Sequence, residues 1–93
     1  MGNKHFSNLA TELVCKWKNE HLANREPMVT PADVYVVWIC KVLQNNKALL
    51  ATNHPDSLYF EVTYNGDKNE IYFDAYKKAE NIAYNLGKKD EIC

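Results

Sequence analysis

The sequence predicts a two-layer α+β domain in the order ααβββα, with a three-stranded antiparallel meander packed against helices. Three observations predict it. Residues 58–75, LYFEVTYNGDKNEIYFDA, alternate with period two on both sides of Asn65-Gly66, a hairpin signature. Residues 5–23 carry apolar side chains at helical spacing. Thr30-Pro31-Ala32-Asp33 is the chemistry of a helix start: N-cap, first-turn proline and acidic third position.

The first helix, 5–23, presents Phe6, Leu9, Ala10, Leu13, Trp17 and His21 on one side, with Asn8, Glu12, Lys16, Asn19 and Glu20 opposite. Asn24 to Pro27 breaks it, because Pro27 cannot continue a helix. The start at Thr30 leads into VYVVWICKVL, which is apolar almost all round. Its length and its cap favour a second helix, covered on most sides, with Asn45-Asn46 as a left-handed stop. Trp17 and Trp38 then follow core spacing, and Cys40 is a small buried hydrophobe.

KALLAT (47–52) is a short strand, followed by a turn cluster from Asn53 to Ser57 in which Pro55-Asp56 suit a type I corner. In the hairpin, Leu58, Phe60, Val62, Ile71 and Phe73 share the core face. Tyr59, Glu61, Thr63, Glu70 and Tyr72 take the other. A two-residue Asn-Gly loop pairs Tyr59 with Tyr72 and sets Glu61 against Glu70; a four-residue loop moves Glu61 opposite Tyr72. Turn chemistry favours the first. Asp74 then caps a third helix whose stripe is Ala75, Ala79, Ile82, Ala83 and Leu86, stopped by Gly87 with Lys88-Lys89 on its C-terminus. The whole chain, 1–93, reads as one domain with loose tails at 1–4 and 90–93.

Composition narrows function by exclusion. Charge is −1 overall, and +1, 0 and −2 over residues 1–26, 27–57 and 58–93, so no global field draws nucleic acid or anionic membrane. No apolar run reaches the roughly 18–20 residues a bilayer requires, and the N-terminus lacks a signal peptide's apolar core. Met1-Gly2 opens a myristoylation pattern that Phe6 does not complete. Cys15, Cys40 and Cys93 are odd in number and widely spaced, which suits three free thiols in a cytosol.

Catalytic motifs are absent. His5, His21 and His54 lie far apart without metal-ligand spacing. Ser7 and Ser57 lie in no nucleophile elbow, and the three glycines form no phosphate loop. Asp67 to Glu70 lacks the order of a calcium loop, and Glu61 with Glu70 forms an acid pair without a pocket. The expectation is a non-enzyme without metal or cofactor.

What remains is a surface. Tyr59, Glu61, Tyr64, Asp67, Lys68, Glu70 and Tyr72 form the predicted partner-binding face and tip, since tyrosines are favoured interface anchors. A rival reading takes Tyr59 and Tyr72 as base-stacking platforms bordered by Lys47, Lys77 and Lys78, for nucleic acid or a nucleotide. A third takes KALLAT as an edge strand that assembles a homo-oligomer.

Two stretches, VYVVWICKVLQNNKALLAT (34–52) and PDSLYFEVTYNGDKNEIYFDAYKKAEN (55–81), resemble an uncharacterised family of small proteins carried by phages and prophages of Gram-positive bacteria. The resemblance runs from Phe6 to about Ile82, with EVTYNGDK its most distinctive part. That family has no established activity, so no residue role transfers. The resemblance implies a setting, the cytosol of a bacterial host. By analogy it implies an accessory protein that binds and modulates a host or defence macromolecule, with counter-defence such as CRISPR inhibition among the roles.

Overall fold

The computed structural model describes residues 1–22, 27–56 and 58–87. One helix, α1 (Asn3–Glu20), lies on one face of a four-stranded sheet made of β1 (Val34–Val42), β2 (Asn45–Thr52), β3 (Leu58–Asn65) and β4 (Glu70–Lys77). The strands follow chain order, β1-β2-β3-β4, all antiparallel. The α+β class and the two layers stand as expected; the ααβββα order does not.

α1 begins close to where periodicity places it. Phe6, Ala10, Val14 and Lys18 form its deepest row at i+4 spacing, flanked by half-buried Leu13 and Trp17. The row packs on Ala48 and Leu50 of β2 and Phe60 and Val62 of β3. Trp17 meets Phe60 edge-on at 5.5 Å between ring centroids and stacks on His21 at 4.0 Å. Asn19 fastens the chain after the helix with two hydrogen bonds. Its Nδ2 donates to the Val29 carbonyl at 3.0 Å, and its Oδ1 accepts the Val29 N–H at 2.8 Å.

The predicted second helix is β1. The start chemistry forms as read: the Asp33 carboxylate accepts from the Thr30 N–H at 2.9 Å and from its hydroxyl at 3.1 Å. It closes only a single 3-10 turn, Pro31–Asp33. Beyond it the run Val34-Tyr35-Val36-Val37, β-branched and aromatic, has a neighbour to pair with, and ladder bonds to β2 outweigh a local start signal. Asn45 and Asn46 are not a helix stop but the first residues of β2. The tight link is Leu43-Gln44, with Leu43 at φ 56°. Asn46 is buried, and its Nδ2 donates to the Met1 carbonyl at 3.0 Å.

A bulge at Val37 separates the pairs Val36↔Leu50 and Trp38↔Leu49. The extra residue exchanges the faces of everything after it. Val34, Val36 and Ile39 therefore pack toward α1, whereas Trp38 and Cys40 leave on the opposite side. Trp38 and Cys40 are exposed, not core. KALLAT, read as an edge, lies in β2, an inner strand; β1 and β4 are the edges.

The hairpin of β3 and β4 exists with the predicted core face, Phe60, Val62, Leu58, Ile71 and Phe73. Its register is neither of those expected: Tyr59 pairs with Tyr76, Glu61 with Asp74, Thr63 with Tyr72 and Asn65 with Glu70. The loop is residues 66–69. The Asn65 carboxamide caps it by accepting from the N–H groups of Asp67 at 3.1 Å and Lys68 at 3.2 Å. Asn69, not Gly66, takes the positive φ, 51°.

The predicted third helix is likewise absent. Residues 74–77 continue β4, and residues 78–87 have no regular structure and are exposed throughout. The described chain has a radius of gyration of 16.2 Å, against about 12 Å for a compact domain of this length. That excess accords with a C-terminal arm that leaves the body. The expected polar break at 24–26, Ser57 of the turn cluster, Lys88-Lys89 and the tail 90–93 with Cys93 lie outside the described residues.

Candidate functional site

Among the described residues, α1 covers one face of the sheet and no element covers the other. On that open face Trp38, Leu49, Glu61 and Asp74 stand in one cross-strand row, and Cys40, Lys47, Thr63 and Tyr72 in the next. Tyr35 of β1, and the pair Tyr59 and Tyr76 of β3 and β4, lie toward the end from which the arm departs. Tyr35, Trp38, Val42, Tyr72 and Tyr76 are all substantially exposed, Trp38 by 41% and Val42 by 63%. A face this rich in aromatic and β-branched side chains is unusual for solvent alone, and Tyr and Trp are the residues interfaces favour.

The electrostatics are lopsided. Lys47 Nζ holds Glu61 at 3.1 Å. Asp74 stands opposite Glu61 with no ion pair among the described residues. Tyr72 donates its hydroxyl to Glu70 Oε2 at 2.8 Å, and that bond to a carboxylate pushes the phenol above its ordinary pKa. Counting Glu61, Glu70 and Asp74 against Lys47, the face carries −2.

Of the residues singled out in the sequence, Tyr59, Glu61, Glu70 and Tyr72 do share this face. Asp67 and Lys68 lie on the exposed hairpin tip beside it. Tyr64 does not join them: it faces α1, half-buried against the core, with its hydroxyl donated to Asn69 Oδ1 at 2.8 Å. Trp38, Tyr35, Leu49 and Tyr76 escaped the sequence reading. The first two lay in the presumed helix, and the bulge that turns Trp38 outward has no mark in the residues around it. In the sequence, Tyr76 falls at the start of the predicted third helix.

The two hairpin tips at the other end of the face are bonded to each other. Gln44 Nε2 donates to Asp67 Oδ1, and the Gly66 N–H donates to Asn45 Oδ1 at 3.0 Å. A side chain at Gly66 would collide with the Gln44 carbonyl. The tips therefore behave as one rigid corner.

Titratable groups gather at one further place, the far end of α1. Lys18, almost fully buried, pairs with Asp56, whose other oxygen accepts the Leu58 N–H at 3.1 Å. His54 Nε2 approaches Asp33 Oδ2 at 4.0 Å. Asp33 is held below the usual carboxylate range, first by the Thr30 N–H and then by the Thr30 and Asn53 side chains and His54. Cys15 is pushed up by burial and by the charges of Asp33 and Glu12, which disfavours a thiolate nucleophile. Lys18 with Asp56, and Asp33 with Thr30 and Asn53, join helix, loop and strand. Among the described residues no three His, Cys, Asp or Glu side chains gather as metal ligands. Among the described residues, too, no helix is long and apolar enough to cross a membrane.

Comparison with known proteins adds a family whose function is unknown. Neither a curated protein nor a solved structure matches the chain. Residues 7–86, which include most of α1, all four strands and the arm up to Leu86, match one family model. The chain belongs to the family of unknown function DUF6275.

Proposed function

We propose that this is a non-catalytic binding protein that docks on a macromolecule through its open sheet face and the joined hairpin tips. The observation that carries it is the exposed set Tyr35, Trp38, Tyr72 and Tyr76 on a face that no other element covers among the described residues. Flat aromatic side chains bury much area at small entropic cost, and the flanking acids give direction to a partner that brings cations. The resemblance of the sequence to small phage and prophage proteins supplies the setting: an accessory protein in a bacterial cytosol that modulates a host or defence protein, counter-defence included.

Capture from a bacterial host lysate, with the bound protein identified by mass spectrometry, tests the proposal against a Tyr59→Ala/Tyr72→Ala variant. Circular dichroism confirms that the variant is folded. The wild type retains a defined partner and the variant loses it; equal retention by both sinks the face as the docking surface.

The rival, stacking of nucleic-acid bases on the same aromatics, has less to support it. Lys47 is tied to Glu61, and Asp74 and Glu70 would repel phosphates. Retention of oligonucleotides at low salt, released by salt, would favour it instead.

A further inference from the structure

Asn65 is the only asparagine in the chain that is followed by glycine. In an open chain such a step is chemically unstable. The glycine nitrogen can reach the asparagine side-chain carbonyl, because no Cβ on the following residue stands in the way and the backbone there turns freely. In the folded protein both reacting groups are held. Asn65 Oδ1 accepts from the N–H groups of Asp67 at 3.1 Å and Lys68 at 3.2 Å. Its backbone ends β3 in extended form, paired with Glu70. The Gly66 N–H donates to Asn45 Oδ1 of the neighbouring tip at 3.0 Å. The Gln44 carbonyl packs against Gly66, and the Gln44 carboxamide is bonded to Asp67.

We propose that Asn65 is a self-modification site, an asparagine that deamidates through a cyclic imide with Gly66 and is held back by the clasp between the two hairpin tips. Gly66 N gives up its proton and bonds to Asn65 Cγ. The Cγ–Nδ2 bond breaks, and the amide nitrogen leaves as ammonia, taking up that proton. Water then opens the ring. Addition at Cγ leaves aspartate at 65; addition at the backbone carbonyl carbon leaves isoaspartate, with the main chain running through the former side chain. Water is the only other reactant.

The clasp opposes each part of this step. Removal of the Gly66 proton forfeits the bond to Asn45. To reach Cγ the Gly66 nitrogen must swing away from the extended geometry of β3, and Gln44 lies against it, so the tips must first part. The two N–H groups on Asn65 Oδ1 work in the other direction, because they stabilise negative charge on that oxygen. They help only once the nitrogen has arrived. The product is a changed tip. A carboxylate at 65 stands opposite Glu70 and two residues from Asp67, so like charges crowd the hairpin end beside the open face. Separation of the tips therefore starts an irreversible change in charge at that corner.

Peptide mapping by mass spectrometry tests it, on the full chain held at mildly alkaline pH, where loss of the Gly66 proton is favoured. Asn81 and Asn85 of the exposed arm, followed by Ile82 and Leu86, serve as internal references. In urea Asn65 converts to aspartate and isoaspartate ahead of both. In the folded protein it converts at least about tenfold more slowly, and Asn45→Ala, which removes the acceptor of the Gly66 N–H, restores about that factor. Gln44→Ala, which removes the second tie, acts in the same direction and carries the comparison if Asn45→Ala does not fold by circular dichroism. A folded wild type that reacts as fast as the unfolded chain overturns the proposal. So do folded variants no faster than the wild type, or an Asn65 that stays intact in urea.

Discussion

Gly66 is a glycine because of Gln44. The backbone carbonyl of Gln44, in the β1–β2 turn, occupies the space a Cβ at residue 66 would need, and the Gly66 N–H is bonded to the adjacent Asn45. Backbone conformation is not the cause, since no glycine here has a positive φ. Gly66→Ala should therefore destabilise the fold by about 1–3 kcal/mol through overpacking. Gly66→Asn should not rescue it, although asparagine tolerates the left-handed region. Urea unfolding of the two variants checks the point; a rescue by asparagine would return the explanation to turn conformation.

Leu43 poses the reverse case. It takes φ 56° in a two-residue turn while 82% exposed, so it accepts left-handed strain and gains little burial in return. Leu43→Asn or Leu43→Gly should raise stability by about 1 kcal/mol, the cost of that conformation for an ordinary side chain. A rise in the urea midpoint with an unchanged slope is the expected result.

The pair of Lys18 and Asp56 ties α1 to the loop between β2 and β3, with only 7% of the lysine side chain exposed. Lys18→Met leaves the carboxylate without its cation and should cost about 3 kcal/mol; Asp56→Asn strands the lysine and should cost a similar amount. The combined Lys18→Met/Asp56→Asn variant should be more stable than the sum of the two losses predicts. A double-mutant cycle on unfolding free energies measures the coupling; strict additivity would show that the two groups do not interact.

Asp33 makes stability depend on pH in a defined sense. Its folded-state pKa lies below its unfolded one, so the folded state binds fewer protons as pH falls toward the acid range. The contribution is present in full above the unfolded value of about 3.9 and is lost as pH drops through the folded value. Asp33→Asn should flatten that part of the acid unfolding curve while leaving the neutral-to-alkaline limb unchanged.

Tyr72 works at the other end of the scale. Its bond to Glu70 raises the phenol, so the interaction is intact below the unfolded pKa of about 10 and fades as pH rises through the folded value. Ultraviolet titration should show a tyrosine component ionising above the ordinary phenol value, and Glu70→Gln should remove it.

Local chemistry made part of this legible from the residues alone. Phe6 and Ala10 on the buried side of α1, the period-two alternation of 58–65 and 70–75, and the Thr30-Asp33 hydrogen bonds each depend on neighbours within a few positions, and each forms, although Val14 and Lys18 complete the buried row in place of the predicted Leu9 and His21. The core set Phe60, Val62, Leu58, Ile71 and Phe73 followed from parity, which survives any shift of register by an even number of residues. That is also why the placement of Glu61, Tyr59 and Tyr72 on one face held although their partners did not.

The structure decided what depends on distant partners. Whether 34–42 is helix or strand turned on β2 being there to pair with it, and a continuous apolar run gives both periods the same score. The face that Trp38 takes turned on one bulged residue. The hairpin loop turned on Asn65 capping it and Gln44 crowding it, so Asn-Gly never formed the two-residue turn its composition favours. Residues 78–87 kept the pattern of a helix and lost the helix, because a stripe without a surface to bury it does not hold so short a segment together. Sequence determined which side chains face the core of the β3–β4 hairpin; tertiary pairing alone decided that the opposite face stands open.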